Sequence, residues 1–257
     1  MLLSNDNFKI KTARALLTKK GRDQLGKFLA EGETLVKEYL AFSDCIEYIL
    51  ISENAAHNIG DMAPYNHYLV KESVFNTISS TRNSQGIVAI VRKKTYNMAE
   101  ITQNSLLFFA DSIQDPGNMG TIIRSCDAFG AKSLIYNKGC VDIYNPKTIR
   151  ASMGSLNRLS HIKTDNNPEI LKTLIDKGFT VFSAVVDSDV YLESIKACQK
   201  AVIVVGNESR GIDKEIINSS DISFSIRMRG SIESLNVGVA ASICLYHFGM
   251  TTSHSTI

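Results

Sequence analysis

The alternation of apolar and polar positions divides the chain into two stretches with different rhythms. In the first, FLAEG (Phe28 to Gly32) predicts a short strand, ETLVKEYLAF has the spacing of an amphipathic helix, and IEYILI is an apolar strand. HYLV (His67 to Val70) and GIVAIVRK (Gly86 to Lys93) predict two more strands with a short helix between them, so residues 1–93 read as a small α/β unit. The polar stretch KKTYNMAEITQN lacks long apolar runs, and residues 94–104 read as a linker. From residue 105 to 257 the pattern becomes strand, glycine-bearing loop, helix. LLFFA (Leu106 to Ala110) precedes DSIQDPGNMG and the helix TIIRSCDAFG, and SLIY, TVFSAVV, AVIVVG and ISFSI predict further strands. Strands alternating with helices imply a mainly parallel sheet covered on both faces. The closing helix SLNVGVAASICLYHFG is apolar on almost every side, which predicts burial against the sheet or a partner subunit. The last residues, MTTSHSTI, read as a frayed tail.

Composition changes this picture little. A chain of 257 residues with 44% hydrophobic content supports two unequal domains. Its 28 Lys and Arg against 26 Asp and Glu give a net charge of +2, which neither demands nor excludes a nucleic-acid partner. The opening is locally basic, with Lys9, Lys11, Arg14, Lys19, Lys20, Arg22 and Lys27 against Asp6 and Asp23. It reads either as a contact surface or as a solvated helix face. Five scattered cysteines lack zinc or disulfide spacing and read as reduced thiols. The N-terminus lacks the layout of a secretory signal, and no stretch approaches the roughly 18 apolar residues of a membrane span. A soluble cytoplasmic protein without membrane association is expected.

Candidate chemistry lies where strands end, the usual ligand-binding edge of open α/β sheets. In DPGNMGTIIRSCDAFG, Asn118 is compatible with a helix N-terminal residue, whereas Arg124 has apolar neighbours at Ile122, Ile123, Cys126 and Phe129. Projection from near the core side would require an anionic partner for Arg124, either a structural ion pair or a ligand. In VVGNESRGI, glycines at both ends of Gly206 to Gly211 suit close backbone approach to a ligand or a plain strand-to-helix turn. In IRMRGSIESLNVGVA, Ser234 reads as a cap for the following helix. The dinucleotide pattern GxGxxG is absent, which argues against an ordinary Rossmann dehydrogenase or methyltransferase.

Taken in this order over Asp115 to Gly249, the three segments resemble the signature motifs of the SpoU family of RNA 2′-O-ribose methyltransferases, the TrmH-like members of the trefoil-knotted SPOUT group. The resemblance implies a knotted, mainly parallel α/β methyltransferase domain, a smaller N-terminal RNA-binding domain, and a homodimer with the active site completed near the subunit interface. It implies S-adenosylmethionine as methyl donor, with no metal. Asn118 and Arg124 carry over as catalytic residues, Asn207 and Glu208 as parts of the catalytic pocket, and Ser234 and Asn236 as neighbours of the transferred methyl. Gly206, Gly211, Ile226, Met228 and Leu235 carry over as cofactor-binding positions. Two departures stand out: Arg227 where the family usually has proline, and Gly238 where serine is common. GRDQLGKFLAEGETLVKEYL and TRNSQGIVAIV resemble the family's small substrate-binding domain, whose fold is shared with ribosomal RNA-binding proteins. Gln85 and Gly86 are its clearest positions, and they are equally compatible with a tight turn into a strand.

These implications favour ribosomal over transfer RNA as substrate. The alternatives are a catalytically inactive RNA-binding or ribosome-assembly protein of the same fold, or a small-molecule α/β enzyme. A ribose hydroxyl is a very weak acid and needs a base or a stabiliser of the developing alkoxide. A guanidinium, with a pKa above about 12, does not readily give up its proton. Arg124 is therefore expected to clamp an RNA phosphate and stabilise negative charge, with Glu208 or a bound water accepting the proton. His57, His67, His161, His247 and His254 lie outside the three motifs and read as structural or solvated.

Overall fold

The computed structural model of the chain describes residues 2–58, 60–196 and 198–252. It divides into two compact units. One contains the chain up to Lys94 together with Asp142–Asn157, and the other contains Thr95–Val141 and the chain from Arg158 onward.

The first unit is built on a five-stranded mixed sheet. Its strands are β1 (Leu2–Leu3), β2 (Lys27–Glu31), β3 (Ile46–Ser52), β4 (His67–Val70) and β5 (Ile87–Arg92), in the order β1-β4-β3-β5-β2. β1, β4 and β3 run parallel, and β5 is antiparallel to both β3 and β2. The central strands carry Ile49, Leu50, Ile51 and Ile87 to Val91, all fully buried, as continuous apolar runs do when a sheet is covered on both faces. Helices α1 (Phe8–Ala15), α2 (Lys19–Leu25), α3 (Glu33–Leu40) and α4 (Glu72–Phe75) belong to this unit, as does a helix over Pro146–Ser152 from the later segment. The Gln85 side chain accepts from the backbone N–H of Glu33 at 2.8 Å, at the start of α3. Gly86 has φ +74°, and a Cβ there would lie 2.7 Å from Ala55 Cβ. Gln85 and Gly86 thus form a turn into β5 that also caps a helix.

Most cations of the basic opening have a partner within the first unit. Arg22 is 3% exposed; its Nε and Nη2 donate to Asp142 at 2.9 and 2.7 Å, and its Nη1 donates to the Leu16 and Leu17 carbonyls. Lys19 pairs with Asp23, Lys27 with Glu47 and Lys11 with Asp6. Arg14 donates to Asn5 and Thr77, and Lys9 lies 4.8 Å from the ring centroids of both Tyr48 and Tyr68. Of the seven cations, Lys20 alone has no such partner among the described residues, and only Arg22 is buried. A buried carboxylate organises the loop before β5. Glu31, 5% exposed, accepts from the Ser79 hydroxyl at 2.5 Å, the Ser80 N–H at 2.8 Å, the Thr81 hydroxyl at 2.9 Å and the Ser84 hydroxyl at 3.0 Å, and it also meets the Ser80 hydroxyl.

The second unit is a six-stranded, all-parallel sheet. Its strands are β6 (Leu106–Ala110), β7 (Ser133–Asn137), β8 (Ser160–Thr164), β9 (Thr180–Ala184), β10 (Ala201–Val205) and β11 (Ile222–Phe224), in the order β11-β9-β10-β6-β7-β8. The helices are α5 (Met98–Ile101) and α6 (Pro116–Ala128), then the first unit's Pro146–Ser152 helix as α7, then α8 (Asn167–Asp176), α9 (Lys214–Asn218) and α10 (Val237–Thr252). α5, inside the linker stretch, is closed by an Asn97/Glu100 capping box and buries Ile101 in this unit's core. The chain leaves β6 toward β7 and β8 on one side and then crosses to β9 on the other. The strand order therefore reverses between β10 and β6, whose last residues, Val205 and Ala110, are paired in register. β8 was not evident from its polar sequence SHIKT.

α10 packs on α6, where the Ser125 and Ser242 hydroxyls lie 2.7 Å apart and a Cβ at Gly249 would sit 2.2 Å from the Phe129 carbonyl oxygen. Val237, Ala241, Cys244, Leu245 and Phe248 are buried, whereas Val239, Ile243, Tyr246 and Met250 are exposed along the opposite side. The helix is therefore covered on one face and bare on another. Residues 253–257 lie outside the described residues, and with them His254 and most of the tail. No helix of the described residues is long and apolar enough to cross a membrane.

Candidate active site

At the carboxyl ends of β6 and β10 the three motif segments meet through side chains. Asp115 caps α6 by accepting from the Asn118 N–H at 2.8 Å, and Pro116 starts the helix, where no backbone donor is needed. This fixes Asn118 in the first turn. Its Nδ2 donates to Glu208 Oε1 at 2.7 Å, and its Oδ1 accepts from Asn236 Nδ2 at 3.0 Å. Asn236 also caps α10, its Oδ1 accepting from the N–H groups of Gly238 at 2.9 Å and Val239 at 3.3 Å. The cap expected at Ser234 is thus made by Asn236, two residues later, and Ser234 is exposed. One carboxylate and two carboxamides form a continuous chain across the three segments.

The Gly206 to Gly211 loop is tightly made. A Cβ at Gly206 would sit 2.3 Å from the Gly211 carbonyl carbon and 2.4 Å from Ile212 N, so only glycine fits. Gly211 takes φ +71° in open space. Asn207 is occupied on both sides of its carboxamide: Nδ2 donates to the Ser112 carbonyl at 2.9 Å, and Oδ1 accepts from the N–H groups of Ser209 and Arg210. Asn207 therefore holds the loop in place, and Glu208 is the exposed group that the loop presents.

Beside this loop lies a cavity of about 560 Å³, lined by Gly206, Asn207, Glu208, Gly211, Ile226, Met228, Ser234 and Leu235 of the candidate residues. Ala184, Val185 and Val186 at the end of β9, with Val237 and Ala240 of α10, complete much of its apolar wall. These were missed in the sequence; the signal was the end of a parallel strand level with Val205. Asn118 and Asn236 are joined to the cavity through Glu208, whereas Arg124 does not line it.

Arg124 departs from expectation. Ile122, Ile123, Ser125 and Cys126 are buried, but Arg124 lies on the exposed stripe of α6 with Thr121 and Ala128. It has no hydrogen bond or ion pair among the described residues, so the structural ion pair is not formed. Arg227 is accounted for: its Nε meets Glu193 at 2.8 Å and its guanidinium lies 4.0 Å from the Tyr191 ring centroid, while Ile226 and Met228 on either side line the cavity. At Gly238 a Cβ would come within 3.2 Å of Thr121 Cγ2 and of the Asn236 Oδ1 that caps α10. Asp111, also missed, is 2% exposed at the end of β6. It accepts from Asn137 Nδ2 at 2.5 Å, Asp213 N at 2.7 Å and the Ser112 hydroxyl at 2.9 Å, tying three loops together. Among the described residues no group of three His, Cys, Asp or Glu is placed to hold a metal. His67, His161 and His247 each meet a backbone carbonyl outside this cluster.

Residues 105–246 match the model of the SpoU rRNA Methylase family, and residues 7–89 match the MRM3-like substrate binding domain. The chain is 31% identical over 244 residues to the 23S rRNA (guanosine(2553)-2′-O)-methyltransferase RlmP of Bacillus subtilis, covering 95% of this chain and 97% of that one. Among solved structures, a putative RNA methyltransferase of the TrmH family from Porphyromonas gingivalis superposes with a TM-score of 0.82 at 29% identity, covering 96% of this chain and 98% of that one. The AdoMet-bound rRNA methyltransferase from Sinorhizobium meliloti superposes with a TM-score of 0.84 at 28% identity, covering 96% and 95%.

Proposed function

This chain belongs to the SpoU rRNA methylase family, and from that premise we propose that it methylates a ribose 2′-hydroxyl of ribosomal RNA with S-adenosylmethionine as donor. The observation that carries the reading is the Asn236–Asn118–Glu208 chain at the edge of the cavity, which unites all three family motifs. The relative that acts on 23S rRNA matches over nearly the full length of both chains, which supports ribosomal RNA and an active enzyme over an inactive assembly protein.

The cavity suits the donor. Its volume falls in the range of small-molecule sites, its walls at Ala184, Val186, Ile226 and Leu235 are apolar as an adenine face requires, and Gly206 leaves no room for a side chain. Gly206, Gly211, Ile226, Met228 and Leu235 would hold S-adenosylmethionine. When bound, it supplies a methyl group on a sulfonium, a good leaving group needing no further activation. What remains for the protein is the hydroxyl proton. One Glu208 oxygen is engaged by Asn118, which aims the carboxylate and leaves the other oxygen to accept that proton. Ser234, on the cavity wall, orients the reacting ribose. Asn207 holds the loop that carries Glu208.

Arg124 acts from a second copy of the chain in this reading. Its exposed position on α6, beside the bare apolar side of α10 at Val239, Ile243, Tyr246 and Met250, supports a homodimer in which it reaches the partner's RNA and clamps a phosphate. The trefoil knot belongs to the same reading. It is supported by the return of the chain from the edge strand β11 past the Gly206 loop to α10, which packs over the central strands β10 and β6. The test is the pH–rate profile of Glu208→Gln. Loss of a general base lowers kcat by about 100-fold or more and removes the acid limb of the profile, whereas full activity at every pH removes the carboxylate from the mechanism.

A further inference from the structure

A second cavity, of about 360 Å³, lies on the other side of the Asn207 to Gly211 loop. It shares Asn207, Arg210, Gly211 and Ile212 with the first cavity, so one loop separates the two. Its wall is rigid. Ser112 sits in the left-handed region at φ +58° and is held at three points: its N–H by Asn137 at 2.9 Å, its hydroxyl by Asp111 at 2.9 Å and its carbonyl by Asn207 at 2.9 Å. Gly139 presses on it so closely that a Cβ would lie 2.4 Å from Ser112 Oγ. Cys140 locks the same corner, its thiol donating to the Ala110 carbonyl at 3.2 Å, with burial pushing its pKa up to about 11 so that it stays protonated. A non-glycine residue in this backbone region costs of order 1–2 kcal/mol and persists where the surroundings over-determine it, often at functional sites.

The polar groups of this cavity are unequal. Asp111 is buried and accepts from three neutral donors, whereas Asp213 is exposed, its Oδ1 accepting from the Glu215 N–H at 2.8 Å. Arg210 and Lys214, both exposed, have no side-chain hydrogen bond or ion pair among the described residues, and the amide of Gln114 lines the same space. Two exposed cations that no carboxylate engages, with an amide beside them, suit an anion, and the shared loop brings that anion next to the donor cavity. We infer that the second cavity is a phosphodiester subsite, in which Lys214, Gln114 and Arg210 receive the RNA backbone beside the ribose to be methylated. The inference rests on the RNA-methylating reading above and adds to it a place for the strand.

Lys214 is the residue to test, because it lines this cavity and not the donor cavity. Fluorescein-labelled fragments of 23S ribosomal RNA are titrated with the native chain, Lys214→Ala, Lys214→Glu and Lys172→Ala, the last an exposed lysine on α8, at several salt concentrations. Kd is expected to rise about 3- to 10-fold for Lys214→Ala and further for Lys214→Glu. The slope of log Kd against log salt should fall by about one for the alanine variant, with Lys172→Ala unchanged. S-adenosylmethionine affinity, measured by calorimetry on the same samples, should be the same throughout. Native RNA affinity and salt slope in both Lys214 variants would overturn the subsite while leaving methyl transfer standing. Failure of the native chain to bind S-adenosylmethionine or RNA would overturn both.

Discussion

Asn118 Nδ2 donates to Glu208 Oε1 at 2.7 Å, a bond between residues ninety positions apart that places a carboxylate from one motif under the control of a carboxamide from another. Asn118→Asp replaces that donor with a second carboxylate at nearly the same place. Two carboxylates this close do not both ionise readily, so the pair holds a proton to higher pH. The acid limb of the kcat profile should move upward, and kcat on the plateau should fall through loss of the Asn118 donor. Asn118→Ala should lower kcat without moving the limb upward, and S-adenosylmethionine affinity should stay near native in both variants.

Gly206 and Gly211 bound the same loop for different reasons, and alanine separates them. At Gly206 the added Cβ meets backbone at 2.3 Å and something must shift. Gly206→Ala should abolish measurable S-adenosylmethionine binding by calorimetry and lower the thermal midpoint. At Gly211 nothing lies within 4 Å, so only the φ of +71° is unfavourable. Gly211→Ala should cost about 1–2 kcal/mol of stability and keep binding within a few-fold of native.

Arg227 connects Tyr191 and Glu193 to the segment whose neighbours, Ile226 and Met228, line the donor cavity. Exposed ion pairs and cation–π stacks each contribute about 0.5–1 kcal/mol. Arg227→Ala should therefore weaken S-adenosylmethionine binding about three- to fivefold with kcat at saturation unchanged. Tyr191→Leu, which leaves the Glu193 ion pair in place, should have a smaller effect, and the double variant should be no worse than Arg227→Ala alone, read by calorimetry.

Glu31 gives the first unit a pH-dependent element. Burial raises its pKa, but hydrogen bonds from Ser79, Ser80 and Thr81 outweigh burial and leave it below 4.5. A depressed carboxyl stabilises the fold above its unfolded pKa and loses that contribution as pH falls from 4.5 through the folded value. Glu31→Gln should destabilise the native chain by about 2 kcal/mol at pH 7, with the difference shrinking below pH 4. Thermal midpoints of both chains from pH 3 to 7 measure it.

Much of this was legible in the sequence because strand and helix periods are local. The apolar runs at Leu106 to Ala110 and Ala201 to Val205 predict two strands that lie side by side at the centre of the sheet, and the resemblance of the motif segments to the SpoU family named Asn118, Glu208 and Asn236, which the structure brings together. What failed depended on distant partners or on helix phase. The partners of Arg22 and Lys27 in the basic opening could not be read because Asp142 and Glu47 lie far along the chain or on another strand. Arg124 looked inward because apolar residues surround it in sequence, yet the stripe of Thr121, Arg124 and Ala128 faces out. β8 was hidden by the polar pattern of an edge strand, with His161 buried and Lys163 exposed. Asp111 carries no signal of its own in the sequence, and only its three converging donors mark it as a tie between loops.

The central claim is that the cluster around Glu208 methylates a ribose hydroxyl. The direct measurement is incubation of the purified chain with methyl-labelled S-adenosylmethionine and ribosomal RNA lacking this modification, followed by digestion to nucleosides and mass spectrometry. A labelled 2′-O-methylnucleoside that is absent with Asn118→Ala and Glu208→Gln is the predicted result. Label on a base, or no transfer to any RNA fraction by a chain that binds the donor, would contradict it.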